Sequence, residues 1–93
     1  MLRIQASRNH EDHVIFRISG RIEAEGVAQL RRLIHSEANR HNLVLDLEDV
    51  KLVSREAVMF LAECEAKGAE LRNSPAYIRE WVAKEREGSQ NRF

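Results

Sequence analysis

The sequence predicts an α/β fold: a small mixed, mostly parallel four-stranded sheet with an antiparallel N-terminal edge strand, and helices packed on it. Three observations lead there. Up to Ile18 the apolar residues follow the spacing of strands. From about Ala24 the spacing becomes helical, and helical stripes then alternate with short apolar runs as far as Lys84. Strands alternating with helices require crossover connections, which make the strands they join parallel. The predicted order is β-β-α-β-α-β-α.

Leu2, Ile4 and Ala6 alternate with polar residues and predict a strand with one buried face. The polar run from Ser7 to Asp12 is a loop. His13 to Ile18, rich in β-branched residues, predicts a more deeply buried strand that Ser19-Gly20 closes. A hairpin is the simplest link between these two, so the first strand should run antiparallel. Val27, Leu30, Leu33 and Ile34 form one helical stripe, and Asn39 to Asn42 ends that helix. Leu43 to Leu47, interrupted only by Asp46, is too short for a helix and predicts a central strand followed by an acidic turn, Glu48-Asp49. The second helix should begin near Ser54 and stop near Lys67, where Gly68 can adopt a helix-terminating conformation. Ala69-Glu70-Leu71 predicts a short strand. Pro75 opens a last helix running to about Lys84, with Asn73 or Ser74 as its cap. Residues 1–84 are thus expected to form one domain and residues 85–93 a flexible tail.

Composition narrows the function. Fifteen basic and fifteen acidic side chains cancel at pH 7, so the strong positive field of a nucleic-acid binder is absent unless Arg31, Arg32 and Arg40 cluster. A hydrophobic content of 43% with 32% charged residues is globular usage, which argues against disorder. The one cysteine, Cys64, permits no internal disulfide and fits a reducing compartment. No apolar run reaches membrane-spanning length, and the first residues are too polar for a signal peptide, so the expectation is a cytoplasmic protein without membrane insertion.

Motifs of catalysis are missing. His10, His13, His35 and His41 lack the spacing of a metal site with Cys64, so neither metal nor cofactor is expected. Gly20, Gly26, Gly68 and Gly88 are too dispersed to form a phosphate loop. Nothing reads as a nucleophile with its base. An enzyme is not expected.

Several stretches together resemble the STAS domain, the fold of bacterial anti-anti-sigma factors, over residues 2–83. Members typically show a serine-glycine turn closing a strand, an acidic-alanine helix start, a Leu-Asp-Leu strand, and an Asp-Ser-Ser-Gly turn opening a helix. Here Ser19-Gly20 and Glu23-Ala24 match the first two signatures, with glutamate where aspartate is usual, and Leu45-Asp46-Leu47 matches the third. Aligned without a gap, the fourth falls on Ser54-Arg55-Glu56-Ala57, which puts Arg55 where the family carries its phosphorylated serine. Sliding by one residue would place Ser54 there, but would displace Val58 and Leu61 from apolar positions they otherwise match.

The resemblance implies a regulatory module whose partner is an anti-sigma kinase-like protein or a component of a signalling or transport assembly. The expected docking residues are Glu48, Asp49, Ser54, Arg55, Glu56 and Met59. Arg55 cannot be phosphorylated, so docking should be constitutive or governed by a ligand. Its plainer role is a solvated charge in the first helical turn, and the plainer role of Ser54 is a helix cap. The rival reading is a sensor of a nucleotide or other small ligand, with Glu23, Asp46 and Ser54 around a pocket at the carboxyl ends of the strands. Tyr77 and Trp81 on the last helix can pack in the core or supply an interface, including a homodimer.

Overall fold

The computed structural model describes residues 2–9, 11–36 and 42–90, the side chains of 88–90 excepted. Its elements follow the order β1 (Leu2–Arg8), β2 (Val14–Ile22), α1 (Ala24–His35), β3 (Leu43–Val53), α2 (Arg55–Ala66), β4 (Glu70–Arg72) and α3 (Ala76–Gln90). The four strands lie in the order β1-β2-β3-β4. The first pair is antiparallel, and β3 runs parallel to both β2 and β4. This is the predicted mixed sheet.

Strand alternation decides which face is covered. Phe16 pairs with Leu45 and Leu45 with Leu71, while Ile4 pairs with Ile18, so these side chains share a face. They join one cluster with Leu30 and Ile34 of α1, Val58 and Leu61 of α2, and Ile78 and Val82 of α3. All three helices therefore pack on that face. The opposite face carries Arg17, Asp46 and Arg72 side by side across three strands. Val44 also points there and, although buried, lies outside the main cluster.

β1 runs to Arg8, two residues into the predicted loop, and two further strands are longer than predicted, for one reason. β2 passes through Ser19-Gly20 to Ile22, and β3 passes through Glu48-Asp49 to Val53. Their register shifts between Arg17 and Ser19 and again between Gly20 and Arg21. Each irregularity inserts a residue into β3, so its positions in the main core cluster run Leu43, Leu45, Leu47, Val50, Val53. A spacing that widens from two to three looks like a strand giving way to a turn. Gly20, beside the second shift, has φ 95°, a backbone conformation that favours glycine. The predicted acidic turn is thus corrected: Glu48 and Asp49 are exposed strand residues.

The last helix also exceeds its prediction, continuing past Lys84 to Gln90. His10, His41 and residues 91–93 lie outside the described residues.

Gly26 sets the depth of α1. It is buried, and a methyl group there would lie 2.7 Å from Leu2 Cδ2, closer than atoms tolerate. That atom is the end of a flexible, half-buried side chain, so it can swing away. Alanine also favours a helix interior over glycine by about 1 kcal/mol. The two effects oppose each other, and Gly26→Ala is expected to leave stability within about 1 kcal/mol of the parent. Gly26→Val adds bulk that Leu2 cannot clear and should cost about 1–3 kcal/mol in urea denaturation.

Candidate functional site

The junction of β3 with α2 is held by Ser54. Its N–H donates to the Ile22 carbonyl at 2.9 Å, adding a last rung beyond the β2–β3 pairing of Ile22 with Val53. Its backbone is extended, at φ −84° and ψ 169°, and its Oγ accepts from the Ala57 N–H at 3.1 Å. The Ser54 carbonyl accepts from Val58 N at 3.0 Å and starts the helical ladder. Serine suits this place because its hydroxyl satisfies a backbone donor that the first turn leaves unpaired. Ala57 and Val58, both fully buried, then fix the rotation of α2.

That rotation turns Arg55 and Glu56 to solvent. Neither side chain has an ion-pair or hydrogen-bond partner among the described residues. Met59, one turn on, is 51% exposed, and Leu52, just before the junction, is 47% exposed. Tyr77 is equally exposed, and its hydroxyl donates to the Lys51 carbonyl at 3.0 Å, which pins the start of α3 to the end of β3. Among the described residues four large hydrophobic side chains are exposed, and only Leu33 lies away from this junction. Leu52 was not expected to contribute. Its signal is an apolar residue at a position where the widened strand spacing leaves it outside the core.

The predicted docking residues separate into two groups. Ser54, Arg55, Glu56 and Met59 sit together at the start of α2. Glu48 and Asp49 sit back along β3, with Asp49 roughly 15 Å of strand before Ser54. Glu48 lies 3.8 Å from Arg17 on the open sheet face, and Asp49 pairs with Ser19.

The proposed ligand pocket is brought together only in part. Glu23 is the N-cap residue of α1, without a side-chain capping bond, and follows Ile22, so the starts of α1 and α2 adjoin. Asp46 is a further stretch down β3. Its Oδ1 accepts from Glu48 N at 3.1 Å and from Asn73 Nδ2 at 3.4 Å, so its carboxylate is engaged locally. A groove of about 650 Å³ on the helical layer is lined by none of the three. Trp81 is half-buried and packs against the core, leaving Tyr77 as the exposed member of that pair. Cys64 is buried, and among the described residues no cluster of three potential metal ligands occurs. Among the described residues no helix is long and apolar enough to cross a membrane.

α1 and α2 are tied beside this site. Arg31 donates to both Glu63 carboxylate oxygens, at 3.1 and 3.5 Å, and lies 5.0 Å from the centroid of Phe60. The Arg31 hydrogen bond, aided by Lys67, holds the Glu63 carboxyl below its ordinary value of 4.5 against a smaller opposing effect of burial.

The element order, the strand arrangement and the helix opening after β3 define a STAS-like fold. No protein-family model and no curated protein matches the chain. Solved structures do. The anti-sigma factor antagonist SpoIIAA in its unphosphorylated form superposes with a TM-score of 0.65 at 17% identity, over 84% of this chain and 79% of that one. An uncharacterized protein with a SpoIIAA-like fold from Shewanella loihica gives 0.55 at 16% identity, over 89% and 74%. At such identities the likeness is one of fold.

Two outcomes follow from this geometry. Ser54→Ala removes the capping acceptor and should cost about 1 kcal/mol in thermal unfolding, while Ser54→Asp, which can still accept, should recover most of it. Glu63 has a depressed folded pKa, so its contribution to stability is complete above the ordinary value and fades as pH falls through the depressed one. Arg31→Gln should move the Glu63 titration, followed by carboxyl NMR, upward toward 4.5.

Proposed function

We propose that this protein is a non-catalytic regulatory module that binds a partner protein through the start of α2, and that its binding is not switched by phosphorylation. The observation that carries this reading is Arg55: an exposed guanidinium in the first turn of the helix, bordered by exposed Leu52 and Met59. Arginine there can meet a carboxylate or phosphate with two parallel hydrogen bonds, and the apolar neighbours supply contact area. The Ser54 hydroxyl is engaged in capping, which gives that side chain a structural use without a phosphate. One solved structure of this fold is an anti-sigma factor antagonist, which supports a protein partner. The partner class we propose, an anti-sigma kinase-like protein or a signalling or transport component, is the one the sequence resemblance implies.

Arg55→Glu is expected to lower capture of the native partner on the order of tenfold, equivalent to about 1.4 kcal/mol. Capture that survives this change but fails with Tyr77→Ala would move the docking surface to α3. Incubation with anti-sigma kinases and ATP should leave the intact mass unchanged. A stoichiometric phosphate on Ser54 would defeat the unswitched reading.

A further inference from the structure

The groove on the helical layer meets the strand–helix junction at Glu56 and Met59 and extends away from it along α2. It crosses α2, with α1 on one side and the far end of α3 on the other. Its floor is small or apolar, formed by Val27, Phe60, Ala62 and Ala66, and half-exposed Met59 borders it. A volume of about 650 Å³ is enough to receive several side chains. The last wall, Glu85 and Arg86, belongs to the part of α3 beyond Lys84, so the groove could not be foreseen from a helix ending there.

The charges around it are unevenly committed. Arg31 is held by Glu63, and Arg86 donates to Glu65 at 3.0 Å. The side chains of Glu56 and Glu85 have no ion-pair or hydrogen-bond partner among the described residues. The groove therefore offers an apolar floor between two carboxylates that form no ion pair among the described residues, while the cations lining it, Arg31 and Arg86, are already paired.

We propose that this groove receives an amphipathic helix of a partner protein, its apolar stripe on the floor and its Lys or Arg flanks toward Glu56 and Glu85. Ala62 and Ala66 lie one turn apart on α2, and side chains that small let a crossing helix approach closely. Met59 can adapt its shape to an incoming side chain. An acidic helix would meet unpaired like charge. The inference rests on the reading of the protein as an interaction module, but names a different surface, which shares only Glu56 and Met59 with the helix start.

The test is selection from a displayed library of random peptides of about sixteen residues, enough for some four helical turns, on the intact protein. The enriched peptides are expected to carry apolar residues at i, i+3 and i+4 between basic flanks. Their affinity, read by fluorescence anisotropy on synthetic copies, should fall at least about tenfold with the double change Glu56→Lys and Glu85→Lys. It should fall likewise with Ala66→Trp, which fills the groove, both variants keeping the parent circular dichroism. No enrichment, an acidic consensus, or binding that persists in both variants overturns the proposal. A dimerisation abolished by Ala66→Trp would give the groove to a second copy of this chain and overturn it as well. Peptides released by Arg55→Glu but not by the groove variants would place docking at the helix start alone. Groove binding that holds while partner capture ignores Arg55→Glu would leave this inference standing without that reading.

Discussion

The parallel pairing of β2 with β3 is the constraint on which the rest of the structure depends. It places Phe16 against Leu45 and Ile22 against Val53, so one ladder sets both the centre of the core and the point where β3 ends. Its continuation, Ser54 N–H to the Ile22 carbonyl, ties the start of α2 to the end of β2. Because α1 begins immediately after Ile22, the same hydrogen bond brings two helix starts together. A buried hydrogen bond of this kind adds only about 1 kcal/mol net, but leaving its groups unpaired would cost more. Its larger effect is geometric: it decides where Arg55 stands.

A short interruption of the ladder makes that arrangement possible. Each register shift lets β3 use one more residue than β2 over the same length of sheet. Glu48 and Asp49 can then both face solvent, and Val50 returns to the core opposite Gly20. Further along, Lys51 and Leu52 are both exposed before Val53 is buried again. The Lys51 carbonyl is thereby available to the Tyr77 hydroxyl, which brings α3 to the same corner. Irregular backbone near the end of the sheet thus gathers exposed apolar side chains at one corner of a domain whose core is otherwise closed.

What could be read from the sequence followed the strength of local periodicity. The helical stripe Val27, Leu30, Leu33, Ile34 and the run Leu43 to Leu47 each have one dominant pattern, and both appear as expected except that Leu33, at the edge of its stripe, is exposed. Ser54 before an apolar helix was legible because capping is a local interaction. The continuation of β2 and β3 was not, since a bulged strand has no fixed period and Ser19-Gly20 reads equally well as a turn. The far end of α3 was missed for the opposite reason: Glu85, Arg86 and Glu87 carry no apolar stripe, and helix there is a continuation of a helix anchored by Ile78 and Val82. Asp46 shows a further limit. Its place in a Leu-Asp-Leu strand suggested a polar pocket, but its partners, Glu48 N and Asn73, depend on the return of β4 alongside β3.

Arg55 at the start of α2 shapes the electrostatics of the corner as well as its chemistry. A helix N-terminus carries partial positive charge from its unpaired N–H groups, so an exposed cation there is mildly unfavourable, by about 0.3–1 kcal/mol at low salt. Nothing among the described residues offsets this for Arg55 by direct contact, and Glu56 beside it is equally unpartnered. The fold would gain from a neutral or acidic residue at this position, whereas a partner carrying a carboxylate or phosphate would gain from the arginine. An anion that approached would meet the guanidinium and the helix dipole together, with Leu52 and Met59 beside them to exclude water. The proposed docking at this corner would set a gain in binding against that small stability cost.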